Sequence, residues 1–212
     1  MGRRIAIVGN GEIREGAAGA IDAADYVIRF NRCGSHGAGG IRTDVVAVCN
    51  TGQPAKAMLS SAEWRAHPAV VAAGEIWSVR DPVKFAAMRP MLALSHPELG
   101  DFCDDYTDGF AAFCASAGKA HQVIGRTVHE AIDHALLAFR PARYVAPSSG
   151  MIVIGWILRN FPDDEVVLAG FDHTGWEWHP FAAERKLIDH HAAAGRLRRL
   201  AADRPLPSCQ EL

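Results

Sequence analysis

Arg3-Arg4-Ile5-Ala6-Ile7-Val8-Gly9 is a short, continuous apolar run behind two charges. Its length and its β-branched residues predict a central strand. Gly9-Asn10-Gly11 predicts a turn, and the Ala-rich stretch from Ile13 to Ala23 predicts a helix ending near Asp22. Asp25-Tyr26-Val27-Ile28-Arg29-Phe30 reads as a second strand, and the glycine-rich segment from Asn31 to Arg42 as a loop. Asp44-Val45-Val46-Ala47-Val48-Cys49 is a third strand. Strands that are apolar on both faces and alternate with helices imply an α/β fold: a Rossmann-like, mostly parallel sheet flanked by helices.

The remainder continues that pattern. Pro54 to Trp64 reads as a helix, Val70 to Val79 contains a strand, and Asp81-Pro82 opens a helix running to about Leu92. Ser95 to Asp108 is rich in turn residues and acids and is expected to be irregular and exposed. Gly109–Gly118 and Thr127–Phe139 are expected helices; His121, His129 and His134 are placed on helical segments as surface or packing residues. Met151 to Leu158 is apolar all round, which predicts a deeply buried helix. Glu165–Phe171 is a strand, and Pro180 fits the first position of a last helix. That helix is expected to carry Arg185, Lys186, Arg196, Arg198 and Arg199 on its solvated side, with 203–212 as a tail. No repeat or linker divides the chain, so residues 1–212 are read as a single domain.

Composition narrows the function. The 212 residues carry a formal net charge of −2, which gives no reason to expect nucleic acid or an anionic membrane as partner. Cys33, Cys49, Cys103, Cys114 and Cys209 form no CxxC or Cys/His finger spacing, so buried free thiols are expected. No apolar run is long enough for a transmembrane segment, and the expected location is cytoplasmic. No HExxH or His/Cys cluster suggests a metal, and none is expected. No Gly-x-Ser-x-Gly elbow or Gly-Lys-Ser/Thr phosphate loop is present.

Candidate site residues gather at expected strand ends. Gly9-Asn10-Gly11 is either a cofactor loop or a tight strand–helix turn; its GxGxxxxG spacing and the absence of an acid after the second strand depart from a dinucleotide fingerprint. Asn10 and Asn31 end two strands expected to be neighbours, so their amides face one crevice, where they could hold a nucleotide or simply brace turns. Ser148, Ser149 and Gly150 precede the apolar helix and offer an anion site at its positive end, or an ordinary N-cap. His173 and His179 lie in a loop with Trp176 and Trp178, and His179 is a general-base candidate. Glu184, five residues after His179, is placed to brace the site.

Taken in order, these pieces resemble the sialyltransferases of glycosyltransferase family 29. The long motif of that family is similar to Ile5–Asn10, Gly19–Asp22, Asp25–Arg32 and Gly40–Asp44; the short motif to Pro147–Gly150 with Val166–Phe171; and the very short His-x4-Glu motif to His179 and Glu184. The family's third motif and its cysteine pair have no clear counterpart here. The resemblance implies a GT-A-like variant of the fold and inverting, metal-independent transfer of sialic acid or a related acidic sugar from a CMP-sugar donor to an acceptor hydroxyl. It implies Gly9, Asn10, Asn31, Ser148, Ser149 and Gly150 as the nucleotide site, with His179, Glu184 and His173 as catalytic groups. The partners implied are a nucleotide-sugar donor and a glycan or small-molecule acceptor. The alternative is a CMP- or nucleotide-binding accessory protein of the same fold that carries out no transfer.

Overall fold

The computed structural model describes residues 2–200, so the expected tail at 203–212, with Cys209, lies outside them. Seven strands form one sheet: β1 (Arg4–Val8), β2 (Tyr26–Phe30), β3 (Val45–Val48), β4 (Glu75–Ser78), β5 (Ala120–Val123), β6 (Glu165–Ala169) and β7 (Arg198–Arg199). Their order is β5-β4-β3-β2-β1-β6-β7, and every neighbouring pair is parallel. The helices are α1 (Ala17–Asp22), α2 (Gly52–Ser60), α3 (Ala62–Ala66), α4 (Pro68–Ala72), α5 (Pro82–Ser95), α6 (Thr107–Ala117), α7 (Arg126–Leu137), α8 (Ser149–Asn160) and α9 (Phe181–Ala193). This is the Rossmann-like α/β architecture expected from the runs of apolar residues.

The doubly apolar strands are explained by two covers. Alternate side chains of a strand point to opposite faces. Ile5, Ile7, Ile28, Phe30, Val45 and Ala47 pack under α8, α7 and α9, where Ile154 and Ile157 are completely buried. On the other face, Ala6, Val8 and Val27 pack with Ile21 of α1, while Val46, Val48 and Ile76 pack with α2, α4 and α6. The chain progresses outward from β1 through β5, then returns to place β6 on the other side of β1. That reversal opens a crevice at the carboxyl ends of β1 and β6.

Several elements differ from the sequence expectation, each for a local reason. Gly16 at φ +82° delays α1 to Ala17. The helix expected over Pro54–Trp64 is split at Ser61, whose hydroxyl accepts from Trp64 N at 3.1 Å and starts α3. Ala120–Val123 is an edge strand, too polar to reveal itself by periodicity, so His121 belongs to β5 and bonds Ser78 Oγ at 2.9 Å. Pro180 is the residue before α9 rather than its first residue. Gly195 at φ +70° follows the end of α9, and Arg198 and Arg199 pair with Val167 and Leu168 as β7 instead of extending the helix.

The glycine-rich loop after β2 is organised by a buried cation. Arg29 is fully buried and donates to Gly39 O (2.8 Å), Gly40 O (2.9 Å), Thr43 Oγ1 (3.0 Å), Arg42 O (3.2 Å) and Ser35 Oγ (3.4 Å). Asp22 accepts from Ile41 N and Arg42 N, both at 2.9 Å, tying the end of α1 to the same loop.

Candidate functional site

The crevice begins where β1 and β6 turn against each other. Gly9 N donates to Ala169 O at 2.8 Å and Gly11 N to Gly170 O at 3.0 Å. A side chain at Gly9 would collide with the Gly170 carbonyl, so only glycine allows this approach. Beyond the turn lies a cavity of about 300 Å³. Gly9, Asn10, Asn31, Ser148, Ser149, Gly150, His173, His179 and Glu184 all line it, so the fold brings every residue singled out in the sequence to one place.

Their hydrogen bonds separate braces from open groups. Asn10 Nδ2 donates to Phe30 O (3.2 Å) and its Oδ1 accepts from Gly34 N (3.0 Å), stapling β1 to the loop after β2. Asn31, at φ +51°, accepts from Cys49 N through Oδ1 (2.8 Å), which leaves its amide N–H donors open. Ser148 caps α8 by accepting from Met151 N at 3.1 Å. Its own N–H and hydroxyl donate to Glu184, at 2.6 and 2.7 Å. Glu184 is only 1% exposed, so this carboxylate is a strut between the starts of α8 and α9, and burial pushes it above the ordinary carboxylate range despite both Ser148 bonds. Among the described residues, Ser149 N and Gly150 N find no backbone or side-chain acceptor, and they sit at the positive end of α8. Gly150 also lets Phe171 pack across the helix start: a Cβ there would lie 2.6 Å from Phe171 Cε1.

Both histidines are neutral. His179 Nδ1–H donates to Ala146 O at 2.7 Å. Burial, aided by the Arg80 guanidinium, lowers it to about 4 against the opposing pull of that hydrogen bond. His173, at φ +57°, accepts from Arg199 Nη2 at 3.1 Å. Burial, then the charges of Arg199 and Arg185, lower it to about 4. Among the described residues, no group of three or more His, Cys, Asp or Glu is placed to hold a metal ion.

Two parts of the site lie beyond the residues singled out above. Phe171, Asp172, Thr174 and Phe181 complete the cavity wall, and their position after β6 is the signal in the sequence that points to them. A second cavity of about 360 Å³ adjoins the first, with Asn31, Ser149 and His179 lining both. It holds Arg80, a cation directly after an apolar strand end, which is the kind of position that ligands of parallel sheets use.

No protein-family model matches the chain. The urease operon 23 kDa accessory protein of Rhizobium meliloti (strain 1021) is 57% identical to it over 201 residues, covering 94% of this chain and 93% of the relative. The chain belongs to the family of that urease operon accessory protein.

Membership in the accessory-protein family overturns the resemblance to sialyltransferases. With it go the glycosyltransferase activity, the CMP-sugar donor and the glycan or small-molecule acceptor, because a relative identical at 57% of positions over nearly its whole length is described as an accessory protein. The structure gives a physical account of the shared motifs. Arg29 and Asp22 organise the loop after β2, Asn10 and Asn31 hold strand ends, and Glu184 is engaged with Ser148. These are demands of the scaffold. No helix among the described residues of this family member is long and apolar enough to cross a membrane.

Proposed function

We propose that this chain is a nucleotide-binding accessory protein that serves urease in the cytoplasm and carries out no sugar transfer. The urease connection rests on what its relative is called. The nucleotide reading rests on one observation: the crevice at the β1/β6 reversal is faced by two unbonded N–H groups, Ser149 and Gly150, at the start of a twelve-residue helix. Such a helix end favours a phosphate. Asn31 contributes neutral donors for a base or ribose, and Phe171, set edge-on to Phe30 at 6.0 Å, supplies an apolar wall. No metal is required in this reading.

Ser149→Pro tests it with little damage to the helix. Ser149 is the first residue of α8, where proline is tolerated, and Ser148 already has the extended ψ of 153° that a following proline needs. The full chain would be titrated calorimetrically with CMP, CDP, UDP and NAD. At least one pyrimidine nucleotide is expected to bind, and Ser149→Pro to weaken it by about tenfold or more, equal to about 1.4 kcal/mol. Absence of binding by all four nucleotides overturns the reading. Urease activity measured in cells with and without the chain tests the other half; equal activity would remove the accessory role.

A further inference from the structure

Among the described residues, two arginines are buried without a carboxylate partner, and they are solved differently. Arg29 spreads its charge over carbonyl and hydroxyl acceptors of the loop after β2. Arg80 is 8% exposed, and among the described residues its guanidinium has a single partner, Thr51 Oγ1, which accepts from Nη1 at 2.6 Å. Its faces are covered by Phe102 at 4.3 Å and Phe85 at 4.9 Å. The only enclosed side-chain polar atom without a partner among the described residues is His129 Nδ1. The unbonded nitrogens of Arg80 are therefore not sealed in protein, and Arg80 lines the second cavity.

A buried guanidinium without a counter-charge is a costly arrangement that an arriving anion relieves through charge-assisted hydrogen bonds. The groups that act on it do not supply a carboxylate: Cys49 and Cys103 are thiols, Cys103 pushed up by burial, and burial lowers His179 to about 4. Asp101, an exposed residue, also lines the cavity. An aromatic side chain also lines the cavity: Trp176, which stacks on Phe102 at 5.2 Å and 23°.

We infer that Arg80 is the receptor for an oxyanion, a carboxylate or phosphate, carried by a small ligand whose planar or apolar part packs against Trp176 in the second cavity. The second cavity adjoins the first and shares Asn31, Ser149 and His179 with it, but the inference does not depend on the nucleotide reading.

The test uses benzoate and phenyl phosphate, which share a planar ring and differ in the anion, titrated calorimetrically into the full chain and into Arg80→Met, Thr51→Val and Ser149→Pro. At least one probe is expected to bind wild type saturably. Arg80→Met should weaken it by about tenfold or more and Thr51→Val by about threefold, as a lost charged partner and a lost orienting bond would. Ser149→Pro, at a residue that lines both cavities, should weaken it less than Arg80→Met does. Arg80→Met should melt no lower than wild type, because methionine fills the slot between the two rings and removes the unpaired charge. Should Arg80→Met fail to fold, Thr51→Val decides, with unchanged affinity overturning the inference. Failure of both probes to bind wild type overturns it, as does Arg80→Met binding like wild type. Loss in Ser149→Pro alone would place the anion on α8 and overturn it while leaving the nucleotide reading intact. Arg80-dependent binding without any nucleotide binding would do the reverse.

Discussion

Asn31 ends β2 with φ at +51°, a backbone region that strains most side chains and that Asn tolerates better than most. Its Oδ1 accepts from Cys49 N at 2.8 Å and its carbonyl from Trp64 Nε1 at 2.8 Å, so one residue pins β3 and α3 to the end of β2. Asn31→Ala deletes the amide bond and retains the strain, which should cost about 1–3 kcal/mol. Asn31→Gly deletes the same bond but removes the strain and should cost about 1 kcal/mol less. Urea midpoints of the two variants check this; equal losses would show that the backbone conformation contributes nothing. From sequence, Asn31 could be a ligand residue or a turn residue, and its spacing could not choose between them. The choice depends on β3, which supplies the partner N–H.

At the scale of elements, α8 and α9 begin side by side because Glu184 of one holds Ser148 of the other. Each supplies what the other lacks: a buried carboxylate needs donors, and a helix start needs its capping serine fixed. Ser148→Ala and Glu184→Gln are expected to be strongly non-additive in urea unfolding, with a coupling of about 1–3 kcal/mol. A coupling near zero would mean that the two helix starts are held by apolar packing alone. The helices whose apolar pattern was strong, α7 and α8, were legible in the sequence. The two-residue β7 and the polar β5 were not, since a short edge strand is defined by its neighbour's hydrogen bonds more than by its own residues.

For the whole molecule, protons report how closely it is packed. His36, His121, His129, His173, His179 and His191 are all lowered, with burial the largest cause, and His173 and His179 reach about 4. Between that value and the ordinary histidine range near 6.5, the unfolded chain binds more protons than the folded one. Stability therefore rises with pH across that window and is lost as pH falls through it. Glu184, raised by burial, acts in the opposite direction but is one group against six. Denaturant midpoints measured at pH 7, 5.5 and 4.5 should fall in that order; a flat profile would refute the balance.

The central strands of the sheet were written in the residues, because continuous apolar runs such as Ile5–Val8 and Val45–Val48 are stable only between two helical layers. They also bring Asn10, Asn31, Ser148, His173, His179 and Glu184 to one crevice, since strand ends and a capped helix start converge where a parallel sheet reverses its order, though the pattern singles out neither Phe171 nor Arg80. Which groups remain open is set by the packing of the folded chain. Asn10, Ser148 and Glu184 are engaged with backbone or with each other, whereas Ser149, Gly150 and Arg80 keep free donors. Hydrogen-bond partners distant in sequence settle that question, and motif spacing carries no record of them.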